Sequence, residues 1–200
     1  MTKSIAVIFL TIFTLFNLSS CSKNENKPTQ TTITPTPIVQ KTIQPAPGEI
    51  AVLAVNLQKD APIMEKDILS GEDNILVINT VNTDNKDVKL KDLATISSFG
   101  TVAKLDENSN GRIDPQANTF HFLYLLTLAQ NGQDYKIKSL KDAGIVAINV
   151  NKDVATNSQS TNSTENVYKI ILANGSTRTI QMIATNNPLL KSLRVYFPEE

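Results

Sequence analysis

The sequence contains no tryptophan, a single cysteine and a single histidine, and aromatic residues form only 6% of its 200 residues. One cysteine excludes an internal disulfide, so the core has to stabilise the fold without a covalent crosslink. The lone histidine, His121, provides neither a zinc cluster nor a paired base, and we expect it to be structural. The scarcity of aromatic side chains argues against a stacking surface for sugars or bases.

Charge and sequence motifs also narrow the possible functions. The 19 basic and 19 acidic side chains give a formal net charge of zero, so nothing in the charge balance favours nucleic acid as a partner. The chain lacks Gly-x-Ser-x-Gly, His-Glu-x-x-His and a phosphate-binding glycine loop. Four carboxylates are candidates for a hydrolytic pair only if the fold brings two of them to one cleft: Asp84, Asp87, Asp106 and Asp114. We therefore expect a protein that is not an enzyme.

The first 20 residues have the pattern of an export signal. Lys3 supplies a positive start, and an apolar run from residue 5 to residue 18 follows it. The run is shorter than the roughly 20 residues that a membrane-spanning helix needs. Two alternatives remain for this segment: an uncleaved transmembrane anchor, and a signal for ordinary secretion in which Cys21 has no role.

The end of this signal resembles the lipobox of bacterial lipoproteins. The sequence Leu18-Ser19-Ser20-Cys21 carries the resemblance, and Cys21 is the only cysteine of the chain. The resemblance implies that Cys21 receives a diacylglycerol and becomes the new N-terminus. It also implies a cell-envelope location with a lipid anchor, and Ser22 after the cysteine favours the outer membrane. Several acyl chains would hold such a protein stably on its membrane.

A tether and one folded domain are predicted to follow. Residues 21–48 are rich in proline and threonine, a composition that cannot form a core and favours extended chain. Residues 49–200 are predicted to form a small α+β domain with a mainly antiparallel sheet, short helices and one EF-hand-like loop. Predicted strands cover 50–55, 74–81, 145–150, the hairpin 167–173/177–184 with its Asn174-Gly175-Ser176 turn, and 193–197. Predicted helices cover 62–69, 88–98 and 139–143.

The most informative stretch is the loop of residues 106–117, where side-chain oxygens recur at every second position. Calcium takes six to eight oxygen ligands from a flexible loop with a glycine at its sharp turn, and here Gly111 is at that sixth position. Ile113 is predicted to point into the core. The candidate calcium ligands are Asp106, Asn108, Asn110, the carbonyl of Arg112, and Asp114.

The closing position of this loop departs from the pattern. Ala117 stands where a bidentate acid normally completes the shell, and two of the leading ligands are neutral amides. We expect a dissociation constant on the order of 10⁻⁴–10⁻³ M. A metal-free loop held by Asx-turns and glycine is the alternative interpretation.

Residues 99–150 also resemble the EF-hand-like segment of RTX-type secreted calcium-binding proteins. The resemblance is carried by residues 99–105 leading into the loop, by Phe120 and Leu123, and by residues 139–145. It implies one calcium site at Asp106–Asp114. The family's second loop corresponds to residues 130–134, which lack the leading acid and are predicted to form a turn.

These observations predict a membrane-anchored lipoprotein with one weak calcium site and a structural or interaction role. The alternative is a metal-free periplasmic or surface interaction protein in which the calcium loop survives as a turn. An unidentified protein partner is compatible with both, and neither involves nucleic acid.

Overall fold

The computed structural model describes residues 43–81, 88–129, 134–150 and 168–198. All of them belong to a compact unit of residues 36–200. Several predictions therefore lie outside the described residues: the export signal, Cys21, the tether up to residue 42, the candidate carboxylates Asp84 and Asp87, most of the second loop, and residues 151–166. Ile43 packs against the core, ahead of the predicted domain start at residue 49.

The described residues form eleven strands, four short helices and one 3₁₀ turn. The strands are β1 Ile50–Val55, β2 Asn74–Asn79, β3 Leu93–Thr95, β4 Arg112–Ile113, β5 Leu123–Leu128, β6 Tyr135–Ser139, β7 Ile145–Asn149, β8 Lys169–Leu172, β9 Thr177–Thr179, β10 Gln181–Thr185 and β11 Arg194–Val195. The helices are α1 Glu65–Leu69, α2 Phe99–Lys104, α3 Asn118–Phe122 and α4 Pro188–Ser192, and the 3₁₀ turn is Leu90–Asp92. None of the described helices has the length and apolar character needed to cross a bilayer.

Strand β2 is the centre of the larger sheet. One of its edges pairs with β5, which in turn pairs with β6. The other edge of β2 pairs with two strands, β1 along one half and β3 along the other half. Strand β10 then pairs with β1, and β11 pairs with β3. All of these pairs are antiparallel except β3–β11. The second sheet has the order β4-β7-β8-β9 and is antiparallel throughout. The predicted α+β class with a mainly antiparallel sheet is confirmed.

Both faces of the larger sheet are buried, because the second sheet covers one face and helices cover the other. Alternate residues of β1, β2 and β5 point to opposite faces, as strand geometry requires. We call the group between the sheets the inner cluster; it includes Leu53, Leu76, Leu125, Ile113, Ile148 and Ile170. We call the group beneath α1 and α4 the outer cluster; it includes Val52, Ile75, Leu126, Ile68 and Leu190. Each such side chain stabilises the fold by roughly 1.5–3 kcal/mol.

The predicted helix over 88–98 is wrong. The 3₁₀ turn is followed there by β3, whose Ala94 and Leu93 pair with Ile78 and Asn79 of β2. The apolar spacing fits a helix locally, but pairing with a buried strand overrides that local preference. Gly100, just after this segment, lies within α2.

Two further helix predictions differ from the structure, the first in kind and the second in extent. Ser139 is the last residue of β6, and residues 140–144 form hydrogen-bonded turns rather than a helix, with Ala143 N–H donating to the Ser139 carbonyl at 3.0 Å. Gly144 follows with φ +74°, so it does mark the end of this turn. The predicted helix 62–69 begins only at Glu65, after Met64 as N-cap.

The predicted hairpin is confirmed in its first part. Strands β8 and β9 pair around Gly175, which has φ +82° and makes the tight turn possible. The chain then bends at the buried Ile180, and β10 joins the other sheet beside β1. Residues 177–184, predicted as one strand, therefore form two strands, β9 in the second sheet and β10 in the larger sheet.

Residues 57–63, which we call the strap, cross the edge formed by β9 and β10. Arg178 donates from Nε to the Leu57 carbonyl at 3.2 Å and from Nη2 to the Gln58 carbonyl at 3.1 Å. The remaining bonds are Thr179 N–H to Asp60 Oδ1 at 2.8 Å, Gln181 Nε2 to the Ala61 carbonyl at 2.7 Å, and Ile63 N–H to Gln181 Oε1 at 3.0 Å. The strap thus occupies one backbone group of these strands, the Thr179 N–H, and is otherwise held by the side chains of Arg178 and Gln181.

Replacing Gly71 by alanine is expected to destabilise the domain strongly. Gly71 has φ +78°, and an added Cβ would lie 2.3 Å from the Leu128 carbonyl oxygen. Gly175 provides a matched control, because it has φ +82° with no atom within 4 Å of an added Cβ. Chemical denaturation should give a loss of roughly 1–2 kcal/mol for Gly175→Ala, the cost of the left-handed conformation. The loss for Gly71→Ala should reach about 3 kcal/mol or more, and equal losses would contradict this packing.

Candidate functional site

The loop of residues 106–117 lies between α2 and α3, and both helices are anchored in the inner cluster. The Ser98 hydroxyl caps α2 by accepting the Thr101 N–H at 3.1 Å, and Val102 is fully buried. The ring of Phe99 stacks on that of the buried Tyr168 with centroids 4.8 Å apart. The start of the loop is therefore fixed to the second sheet.

The side chains at alternate positions of the loop all bend back onto its own backbone. Asp106 is 4% exposed, and its Oδ2 and Oδ1 accept N–H bonds from Gly111 at 2.8 Å and Asn110 at 3.2 Å. Asn108 Oδ1 accepts the Asn110 N–H at 3.3 Å, and Asn110 Oδ1 accepts the Arg112 N–H at 2.8 Å. These bonds hold residues 106–112 in one turn of chain.

Pairing of β4 with β7 determines the direction of the Arg112 carbonyl. Val150 N–H donates to the Gly111 carbonyl at 2.8 Å, and Arg112 and Asn149 are the next pair along. Bonded and non-bonded pairs alternate in an antiparallel ladder, so Arg112 directs its N–H and C=O away from β7. Its N–H accordingly donates to Asn110, and its carbonyl oxygen lies on that same side.

Ile113 and the glycine of the loop behave as the sequence predicts. Ile113 is fully buried in the inner cluster. Gly111 has φ +79°, a backbone conformation that favours glycine. Lack of space is not the reason, because an added Cβ would meet its nearest atom at an ordinary 3.5 Å. Ser109 also has a positive φ, of 57°. The chain can therefore make the sharp turn at which a calcium loop reverses.

The closing half of the loop is built differently. Ala117 is 4% exposed and packs in the inner cluster, so this position faces the core. Asp114 Oδ1 accepts the Gln116 N–H at 3.0 Å, while its Oδ2 lies 3.6 Å from Arg112 Nε. Glu107 Oε1 accepts the Thr119 N–H at 3.1 Å. The guanidinium of Arg112 and the buried methyl group of Ala117 thus lie where a calcium shell would be completed.

The residues of this loop fit a hard cation in part. The leading half supplies the carboxylate of Asp106, two amide oxygens and one carbonyl, and such oxygens are the ligands calcium prefers. The closing half offers only Asp114, which already contacts a guanidinium. Within the described ranges, no group of three or more His, Cys, Asp or Glu side chains is placed to hold a metal ion. Water would have to supply the rest of any shell.

His121 lies just beyond the loop, at the surface. Its Nε2 donates to the Pro115 carbonyl at 3.1 Å, and its ring meets that of Phe120 edge-on at 5.9 Å. The side chain thus links α3 to the closing half of the loop.

Sequence reasoning missed Asp73, which is 2% exposed at the corner between α1 and β2. Its Oδ1 has no hydrogen-bond partner within the described part of the chain. Burial raises the pKa of this carboxyl, a hydrogen bond from Asn56 opposes the rise, and the charges of Asp67 and Glu72 add to it. No local motif signals this residue, because its burial depends on the packing of α1 against the sheet.

The fold and the loop define a two-sheet α+β domain with a helix–loop–helix segment at the edge of its second sheet. The family model that matches the chain is the SPM domain, over residues 49–186. The chain belongs to the SPM domain family. No curated protein matches it.

Replacing Asp106 by alanine is expected to weaken the domain even when a chelator removes all calcium. The change leaves the Gly111 N–H without its acceptor, whereas the Asn110 N–H keeps its bond to Asn108, and an orphaned donor costs roughly 1–3 kcal/mol. Asn108→Ala is the control, since Asn110 N–H then keeps its bond to Asp106. Urea denaturation in EDTA should show the larger loss for Asp106→Ala, and a loss no greater than that of Asn108→Ala would contradict these contacts.

Proposed function

We propose that this protein is a lipid-anchored module of the bacterial cell envelope that binds one calcium ion weakly through residues 106–114, with a structural or interaction role. The observation that carries the calcium proposal is the turn around Gly111 that the oxygens of Asp106, Asn108 and Asn110 hold by accepting backbone N–H groups. A flexible chain would have to form this arrangement on binding, whereas this loop has much of it already, which reduces the ordering cost.

Each residue has a separate part in the proposed site. Asp106 supplies the buried negative charge, and Asn108 and Asn110 supply neutral oxygens. The Arg112 carbonyl and one oxygen of Asp114 complete the protein's share. Bound calcium would supply a positive charge that holds these oxygens at fixed positions. With two carboxylates, we expect a dissociation constant on the order of 10⁻⁴–10⁻³ M.

The guanidinium of Arg112 opposes cation binding in this proposal, because it lies beside Asp114. Position 7 contributes only its backbone carbonyl, so the side chain can be changed without removing a ligand. Arg112→Gln should therefore tighten calcium binding by about threefold to tenfold, since a unit charge about 6 Å from a divalent ion repels it by roughly 1.4 kcal/mol in a water-like dielectric, and salt screens part of this. Calorimetric titration of the chain without residues 1–20 measures this.

Arg194→Gln is the matched control for this titration, because it removes the same charge from an exposed residue of β11. Its affinity should equal that of the unchanged chain. Equal affinities of Arg112→Gln and Arg194→Gln would place any bound ion elsewhere. An absence of binding at millimolar calcium in all three proteins would contradict the calcium proposal.

A metal-free interaction module is the second candidate function. Two observations favour it: the loop oxygens accept backbone N–H groups, and Ala117 faces the core. In this case the loop is an Asx-turn that only connects α2 to α3. The protein would then contact an unidentified protein partner in the envelope, and the titration above separates the two candidates.

The lipid anchor is supported by the lipobox-like Leu18-Ser19-Ser20-Cys21, with outer-membrane sorting favoured by Ser22. Cys21→Ser should move the protein from the membrane fraction to the soluble fraction, because the thiol that would carry the lipid is gone. Fractionation followed by detection of the protein measures the change, and Ser20→Ala is the control that keeps the cysteine. Unchanged membrane attachment of Cys21→Ser would contradict the anchor.

A further inference from the structure

Strand β6 forms an edge of the larger sheet. Among the described residues it pairs with β5 on one side and with no strand on the other. Its side chains are largely exposed, since Tyr135 is 41% exposed and Lys136 and Lys138 also lie at the surface. Ile137 is half-buried and packs against the outer cluster. Such an edge can add a further extended chain through its backbone groups.

The hydrogen bonds of the β5–β6 hairpin show which backbone groups of β6 point outwards. Ala129 N–H donates to the Asp134 carbonyl at 2.8 Å, so these two residues form a bonded pair. Bonded and non-bonded pairs alternate along an antiparallel ladder, so Lys136 and Lys138 also bond to β5. The alternate residues of β6 direct both backbone groups away from β5: Tyr135, Ile137 and Ser139.

The end of the strand agrees with this assignment. The Ser139 carbonyl accepts the Ala143 N–H at 3.0 Å, so this carbonyl does not face β5. The N–H and C=O groups of Tyr135 and Ile137 have no partner in the described part of the chain. Strand β6 therefore offers donors and acceptors spaced as one side of an antiparallel ladder.

The lysines of β6 determine which chain fits this edge. Lys136 and Lys138 lie on one face of the strand and Ile137 on the other, and neither lysine forms an ion pair within the described ranges. In an added antiparallel strand, the residues opposite the lysines are non-bonded pairs, in which side chains approach most closely. Each lysine therefore favours an acid opposite it, and Ile137 favours an apolar residue between the two acids. Asp134 lies on the lysine face at the start of the hairpin, so the preference for an acid is strongest opposite Lys138.

Two other occupants fit this edge less well. A second copy paired over the whole of β6 would put Lys136 of each chain opposite Lys138 of the other, and like charges directly opposite destabilise a strand pair. The parts of this chain outside the described residues contain no two acids separated by one residue: 1–42, 82–87, 130–133, 151–167 and 199–200. The chemistry of the edge is therefore matched by a segment of a different protein.

We propose that the outer edge of β6 binds an extended segment of another protein with the pattern acid–apolar–acid, which adds to the larger sheet as an antiparallel strand. The backbone groups of Tyr135 and Ile137 make the hydrogen bonds, and Lys136 and Lys138 select for the acids. This binding depends on neither calcium nor the lipid anchor, so it can fail or succeed separately from the proposed function.

Calorimetric titration of the full-length chain, in detergent with a chelator, tests the pairing with the peptide Thr-Thr-Glu-Val-Glu-Thr-Thr. The same peptide with lysine in place of both glutamates is the control and should bind more weakly. Methylation of the valine N–H should abolish binding because that group faces β6, whereas methylation of the second glutamate N–H should not, since it faces away. Absence of binding by the acidic peptide at about 1 mM, or equal loss from both methylations, would overturn the proposal.

Hydrogen exchange locates the bound peptide. The amides of Tyr135 and Ile137 should become severalfold more protected when the acidic peptide is present, because their N–H groups gain acceptors. The amides of Lys136 and Lys138 already bond to β5 and should change little. Protection that appears elsewhere and leaves Tyr135 and Ile137 unchanged would place the peptide on another surface and contradict the proposal.

A charge reversal tests the role of the lysines. Lys138→Glu should weaken binding of the acidic peptide about threefold to tenfold, because it replaces an attractive pair by a repulsive one. Lys91→Glu is the matched control, since Lys91 is exposed in the 3₁₀ turn before β3, and β2 and β5 lie between β3 and β6. Equal weakening by both variants would mean that no acid lies opposite Lys138. Should Lys138→Glu not fold, the methylated peptides and the exchange pattern still decide the matter.

Discussion

Burial of both faces of the larger sheet is the constraint on which the rest of this structure depends. Strands β1, β2 and β5 present alternate side chains to the inner and outer clusters, so neither face can be exposed without losing a large apolar area. The second sheet and the helices are therefore required as covers. The calcium-like loop and the strap both lie at edges of this assembly, where backbone groups still need partners. Their geometry follows from the way those edges are closed.

The elements that the sequence predicts well are those whose signal is local. The apolar runs of β1, β2 and β7 indicate strands, because few short segments with so many β-branched residues form anything else. Gly175 indicates its hairpin, and Gly111 the sharp turn of the loop, because each has a positive φ. Ile113 could be assigned to the core from its place between loop oxygens. In the loop, the alternating oxygens of residues 106–110 can likewise be identified from the sequence, because their spacing is a local signal.

Other features depend on contacts between distant parts of the chain. Residues 93–96 are buried throughout, so their spacing suits a helix as well as a strand, and only pairing with β2 decides between them. The bend at Ile180 is equally invisible, since it arises because β10 finds β1 as a partner. Asp73 and Asn56 lie on opposite sides of α1 in the sequence and meet only through packing. The sequence likewise shows that residue 117 is an alanine, but it does not show that this alanine faces the core.

The hydrogen bonds within the loop are compatible with both candidate functions. A carboxylate or amide oxygen has more than one lone pair, so accepting a backbone N–H does not prevent it from ligating an ion. The same bonds that preorganise Asp106, Asn108 and Asn110 for calcium also hold the turn together without it. Charge then decides the affinity: two carboxylates attract the ion, and the guanidinium of Arg112 opposes it. These bonds hold the loop in the described structure without an ion, so calcium in the proposed site would add to the order of the loop rather than create it.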